Sequence, residues 1–143
     1  MRAYLDASVI MPTLVAEPLS PAVDSFMLMD AWERTVSDFG AAEVASVLSR
    51  LVRMSVLTSA AAQGKLADFE TWRAADTSPV DLQASDAHLA HTYVSRFELK
   101  LRAPDALHLA IAKRLGATLV TLDQRLAAAA TALGIPVEIP GSA

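Results

Sequence analysis

Four acidic residues, Asp6, Glu43, Asp105 and Asp123, stand at places where a folded chain could gather carboxylates. Asp6 and Asp123 each close a predicted strand. Asp105 falls in the first turn of a predicted helix, just after Pro104, and Glu43 in the first turns of the helix after the second predicted strand. In a parallel α/β sheet all four places lie at one edge, where the working crevice forms beyond the carboxyl ends of the strands. Carboxylates crowded there repel and raise one another's pKa, and a hard divalent cation removes that penalty. All-oxygen ligation suits Mg²⁺ or Mn²⁺. Such an ion can bind a phosphoryl oxygen, activate water, or, in a pair, steady both attacking and leaving oxygens. With no cysteine and no HxxxH pair among three histidines, zinc is disfavoured.

Each acid taken singly has a plainer role. An Asp at a strand end often caps the next helix, and an Asp in a first turn complements the helix dipole. Glu43 resists that reading. Its neighbours three and four positions away are Phe39, Gly40, Ser46 and Val47, so it lacks a helical ion-pair partner. It also borders the apolar stripe Val44, Val47, Leu48, Leu51 and Val52. A solvated surface glutamate is the competing reading.

The elements that must position these acids follow from periodicity and punctuation. Strands are expected at residues 2–6, 34–37, 79–82, 118–121 and 137–139. Helices are expected over 8–15, where Pro12 limits the element to an early turn or a kink, and over 22–29. A long helix to about Met54 follows, with Asp38 as its N-cap. Others run from Thr58 or Ser59 to Ala75, from Ser85 to Phe97, from Pro104 to Gly116, and from Asp123 to Leu133. Short strands alternating with longer helices predict an α/β fold, with a parallel sheet covered on both faces.

The totals set the frame. The 143 residues suit one domain, expected over 1–140 with a tail at 141–143. Apolar residues make up 53% and charged residues 20%, enough for a core and against disorder. No apolar run is long enough to span a bilayer, and Asp6 interrupts the start too early for a secretory signal, so the expected location is the cytoplasm. Twelve basic against sixteen acidic residues leave a net charge of −4. Broad electrostatic binding of nucleic acid is therefore excluded, and any nucleic acid must be held by a local basic patch or through bound metal.

Four segments together resemble the motifs of PIN domains. Tyr4-Leu5-Asp6-Ala7-Ser8 is similar to their D-x-S opening, and Ser37 to Val44, which contains Glu43, to their second motif. Arg102 to Ala112, with Pro104-Asp105-Ala106, closely resembles the third, and Thr121-Leu122-Asp123 the T-x-D fourth. Order, spacing and length agree over nearly the whole chain, and the third motif is the most specific. The plain single-domain size resembles a VapC-type toxin of a toxin–antitoxin pair. One departure is the small Gly40-Ala41-Ala42 run, where bulkier residues are frequent.

The resemblance implies a three-layer α/β/α sandwich around a short-stranded parallel sheet. It implies Mg²⁺ or Mn²⁺ held by Asp6, Asp105 and Asp123, directly or through water, with Glu43 completing the acidic site. Ser8 and Thr121 would orient these carboxylates by hydrogen bonds. The implied reaction is in-line hydrolysis of single-stranded RNA, often tRNA or ribosomal RNA, leaving a 5′-phosphate and a 3′-hydroxyl without a covalent enzyme intermediate. The implied partners are a VapB-like antitoxin, whose C-terminal segment masks the groove, and a second copy of the chain.

Other residues carry competing roles. Arg96, Lys100 and Arg102 form the densest basic stretch and lead toward Asp105, as an RNA-phosphate patch or as a basic helix end. His108, three residues after Asp105, is expected to make a local hydrogen bond rather than act as a general acid. His88 and His91 read as a solvated face. Trp32, Phe69, Trp72 and Tyr93 read as core or subunit contacts rather than base-stacking platforms. The segment Phe26 to Met29 reads as core, with any exposed part suited to a partner. Two further functions remain open. A non-catalytic PIN scaffold predicts a missing acid, yet all four are present. A phosphatase of the haloacid dehalogenase type wants Asp two residues after the nucleophilic Asp, where this chain has Ser8.

Overall fold

The computed structural model describes residues 1–142, so Ala143, the last residue of the expected tail, lies outside the described residues. Its centre is a five-stranded, all-parallel sheet in the order β3-β2-β1-β4-β5. The strands are β1 (Arg2–Leu5), β2 (Glu33–Ser37), β3 (Ser78–Val80), β4 (Thr118–Val120) and β5 (Val137–Glu138). The chain starts in the middle, steps outward to β3 on one side, then returns to build β4 and β5 on the other. β1 and β4 thus flank the point where the winding reverses, which in open α/β sheets leaves a crevice beyond the strand ends.

Alternation along the strands sorts the core into two layers. Ala3, Leu5, Val36 and Val120 face one way. They are covered by residues from α1 (Ala7–Leu14), α2 (Ser20–Met27), α3 (Asp38–Arg53) and α4 (Ser59–Asp76). Tyr4, Val80 and Leu119 face the other way, onto α5 (Ala84–Val94), α6 (Ala103–Leu115) and α7 (Gln124–Ala132). This is the expected three-layer α/β/α sandwich. Among the described residues, no helix is long and apolar enough to cross a membrane.

Three local expectations are corrected. The N-cap of α3 is Ser37, whose hydroxyl accepts the Gly40 N–H at 2.9 Å, and Asp38 is the first helical residue, paired instead with Arg73 at 2.7 Å. Ser37 is the last residue of β2, so its extended backbone already suits a cap. Pro12 is the sixth residue of α1, past its early turn, and the helix runs on to Leu14. A proline there removes one backbone donor, and its ring is buried in the core with Val9, Ile10 and Met11. Finally, α5 stops at Val94 instead of reaching Phe97. The Ser95 N–H and hydroxyl both donate to the His91 carbonyl, at 3.0 and 2.7 Å, the Arg96 N–H turns to the Tyr93 carbonyl at 3.1 Å, and a short 3-10 turn, Phe97–Leu99, follows.

Candidate active site

The site begins at Asp6, the residue immediately after β1, which caps α1 and is only 5% exposed. One carboxylate oxygen, Oδ1, accepts the Ser8 N–H at 3.1 Å and the Ser8 hydroxyl at 2.5 Å. The other, Oδ2, accepts the Thr121 hydroxyl at 2.9 Å. The backbone N–H of Asp6 reaches the Val120 carbonyl, so the end of β1 is tied to the end of β4 at 3.3 Å. Burial pushes the Asp6 carboxyl above the usual range. Hydrogen bonds from Ser8 and Thr121 oppose that rise, and the charge of Glu43 adds to it.

Ser8 and Thr121 also bind the β4–α7 connection. The Leu122 N–H donates to the Ser8 hydroxyl at 2.9 Å, and the Asp123 N–H to the Thr121 hydroxyl at 3.0 Å. Asp123 caps α7, its Oδ1 accepting the N–H groups of Arg125 and Leu126 at 3.0 and 3.1 Å. Asp6, Ser8, Thr121 and Asp123 therefore form one hydrogen-bonded group at the reversal point, drawn from two strands adjacent in the sheet and far apart in sequence.

Glu43 and Asp105 reach this edge from α3 and α6. Asp105 forms a capping box at the start of α6, its Oδ2 accepting the Arg102 N–H at 3.3 Å. The guanidinium of Arg125 stands 3.8 Å from the same oxygen. Glu43, which lacks a partner on its own helix, finds one across the layers: its Oε1 bonds His108 Nε2. His108 is 3% exposed, and its Nδ1 lies 2.6 Å from the Tyr4 hydroxyl. Its bond is therefore not local, as the sequence had suggested, but joins α6 to α3 and β1. The signal in the sequence was the unpaired Glu43 together with an imidazole set among apolar helix residues. Nothing in the spacing joined them, because they lie 65 positions apart.

The donor set is hard oxygen throughout, which fits Mg²⁺ or Mn²⁺. Among the described residues, no three His, Asp or Glu side chains converge into a ready-made ligand cluster. Asp6 has one oxygen with a single partner, and Asp105, Asp123 and Glu43 each keep one oxygen with no protein hydrogen bond among the described residues.

The remaining residues singled out from the sequence lie as follows. Arg96 is exposed and paired with Glu98 at 2.9 Å, and Lys100 and Arg102 are exposed on the approach to α6. His88 and His91 are exposed on α5. Phe69 and Tyr93 are buried, and Trp32 and Trp72 are half-buried, stacked near Phe26 and Phe69 at 5.7 and 6.2 Å between ring centroids. Phe26 is core, whereas Leu28 and Met29 are exposed.

The PIN domain family model matches residues 3–132. The chain belongs to the PIN domain family. Among solved structures it is similar to FitAB bound to an IR36 DNA fragment, with a TM-score of 0.75, 19% identity, and coverage of 99% of this chain and 96% of that one. It is also similar to VapBC2 from Rickettsia felis bound to a promoter DNA fragment (TM-score 0.70, 18% identity, 97% and 98% coverage). A third is VapC20 from Mycobacterium tuberculosis, described as a sarcin-ricin loop cleaving toxin (TM-score 0.72, 15% identity, 89% and 94% coverage). At these identities the likeness is one of fold. A comparison with curated protein sequences found no match.

Proposed function

We propose that this chain is a Mg²⁺- or Mn²⁺-dependent endoribonuclease that cuts single-stranded regions of tRNA or ribosomal RNA and serves as the toxin of a toxin–antitoxin pair. The observation that carries the reading is the buried Asp6, set at the sheet's reversal point and held by Ser8 and Thr121 beside the T-x-D turn. A surface cap needs no such enclosure. PIN family membership supports a nuclease, and the similarity to toxin–antitoxin complexes supports the biological role.

Asp6, Asp105 and Asp123 would hold the ion, with Glu43 completing the acidic edge. Once bound, the ion supplies positive charge to a phosphoryl oxygen and makes water a better nucleophile. Ser8 and Thr121 fix the Asp6 carboxylate so that no reorganisation is needed when the substrate docks. The exposed Lys100 and Arg102, with Arg96, lie along the approach to Asp105 and would bind RNA phosphates. The products carry a 5′-phosphate and a 3′-hydroxyl.

The partners proposed are a VapB-like antitoxin and a second copy of the chain, with the cytoplasm as the place of action. An apolar groove between α1, α2 and α4, lined by Leu14, Met27, Leu28, Phe69 and Trp72 beside Asp24 and Asp68, suits an antitoxin segment with apolar and basic side chains. The test of the enzyme is direct. Purified protein with Mn²⁺ cuts RNA, EDTA stops it, and Asp6→Asn abolishes it. Cleavage that survives EDTA, or that Asp6→Asn retains, rejects the reading.

A further inference from the structure

Three buried polar side chains that the proposed reaction does not use, Ser37, Tyr4 and His108, run to the acidic edge and end on Glu43. Glu43 bonds His108 Nε2. His108 Nδ1 lies 2.6 Å from the Tyr4 hydroxyl, which lies 2.8 Å from the Ser37 hydroxyl. The Ser37 oxygen also accepts the Gly40 N–H. Tyr4 and Ser37 are fully buried. The imidazole is held in place, with Tyr4 and Phe39 ring centroids at 5.6 and 5.2 Å.

Hydrogen accounting gives the chain a direction. Suppose Tyr4 donated to Ser37. Ser37 would then accept two hydrogens and have no acceptor for its own, because it has no third partner among the described residues. A buried hydroxyl left so is unfavourable. In the opposite sense every group is paired. Ser37 donates to Tyr4, Tyr4 donates to His108 Nδ1, and Nε2 must carry the hydrogen that goes to Glu43.

We propose that His108, fixed as the Nε2–H tautomer by Tyr4 and Ser37, is a positioning residue that holds one carboxylate oxygen of Glu43 and sets its orientation at the acidic edge. The chain has one outlet, and it is the acid that lacks a partner on its own helix. Three elements meet in it: β1 through Tyr4, the β2–α3 junction through Ser37, and α6 through His108. Any shift of α6 relative to α3 therefore moves Glu43. The proposal rests on the nuclease reading for its catalytic consequence, but not for its geometry.

The experiment compares wild type with His108→Gln, His108→Leu and Tyr4→Phe. In the ¹⁵N-resolved imidazole spectrum of the wild type, His108 shows hydrogen on Nε2 and none on Nδ1. Hydrogen on Nδ1, alone or with Nε2, overturns the proposal. The Leu variant loses about ten- to hundredfold in kcat on RNA, with KM little changed, and binds Mn²⁺ more weakly in calorimetry. The Gln variant, whose amide can place a donor near Nε2, recovers most of both losses. Equal loss in folded Gln and Leu variants, or no loss in either, overturns positioning. If the Leu variant does not fold, Tyr4→Phe carries the same test. It removes the donor to Nδ1, so the Nε2–H population falls and kcat falls with it, and an unchanged tautomer and kcat overturn the proposal. If wild type does not cut RNA at all, the nuclease reading fails while the spectrum and the Mn²⁺ titration still decide the role of His108.

Discussion

Arg125 stands between two acids of the candidate site: its guanidinium is 3.8 Å from Asp105, while its own backbone N–H donates to Asp123 at 3.0 Å. On the proposed reading Asp105 also holds the divalent ion, so the guanidinium and the ion would compete for it. The pair is long and the arginine half exposed, so its worth is at most about 1 kcal/mol. Replacing Arg125 by Gln therefore tightens Mn²⁺ binding by roughly two- to fivefold. Isothermal titration of the two proteins checks this, and weaker binding in the variant would show that Arg125 props the site open rather than competing for it.

A second expectation concerns the cost of the site to the fold. Burial, with Glu43 adding, raises the Asp6 carboxyl above its unfolded value. Between those two pKa values the folded state holds the proton more tightly than the unfolded one, so stability falls as pH rises through the folded pKa. At neutral pH an ionised Asp6 is a burden. Asparagine removes the charge and keeps the shape. Its oxygen can accept from Ser8, and its amide can donate to the Thr121 hydroxyl. Asp6→Asn should abolish cleavage yet melt at a higher temperature than wild type in EDTA. The gap should widen from acid toward neutral pH, and added Mn²⁺ should narrow it. Thermal melts across a pH series measure this; a lower melting temperature for the variant would mean that the carboxylate is net stabilising.

The parts of this site that could be read from the sequence are those whose cause is local. Asp6 with Ser8, and Thr121 with Asp123, are close in sequence, and each pair sits where a strand gives way to a helix. Strand pattern and turn position place them at one edge before any contact is known. The stripe Val44, Leu48 on α3 was legible for the same reason, since helical spacing alone puts both on the buried face.

What the sequence hid depends on contacts between layers. His108 meets Glu43 from another helix and Tyr4 from a strand 104 positions away. Arg125 meets Asp105 only because α6 and α7 start at the same edge. The choice of Ser37 over Asp38 as cap turned on a single residue, since both types cap well and only the end of β2 decides between them. α1 also runs past Pro12 to Leu14, with the ring buried in the core, a packing that no local rule reports.

Away from the site, a buried ion pair gives a clear pH signature. Asp86 is 1% exposed and accepts Arg114 Nε and Nη2 at 2.7 and 2.9 Å, along with the Gln83 N–H at 2.9 Å. Burial acts to raise its pKa, but the Arg114 and Gln83 hydrogen bonds and the arginine's charge outweigh it and hold the carboxyl below its ordinary range. A depressed pKa adds stability above the unfolded value, about 3.9, and that stability is lost as pH falls through the folded value. Asp86→Ala should cost about 2–3 kcal/mol at neutral pH. The deficit should shrink in the acid limb below about pH 4. Denaturant unfolding at several pH values measures it, and a deficit independent of pH would assign the loss to packing instead.

The Gly40-Ala41-Ala42 run invites a test that separates helix propensity from steric need. Gly40 lies in the first turn of α3, buried, with no unusual backbone angle to require glycine. A Cβ built there would stand 3.4 Å from the Ser37 hydroxyl oxygen, 3.6 Å from Val36 Cγ1 and 3.9 Å from His108 Cε1, all ordinary contact distances. The added methyl would fill space without displacing the Ser37 cap. Glycine costs a helix interior about 1 kcal/mol relative to alanine, and less near an end. Gly40→Ala should therefore stabilise the protein by about 0.5–1 kcal/mol, a rise of about 1–4 °C in Tm for a domain of this size. Calorimetry decides it. A fall in Tm would mean that the wall formed by Ser37 and His108 cannot yield even slightly, and that the small residue is kept there to let α3 close on the imidazole.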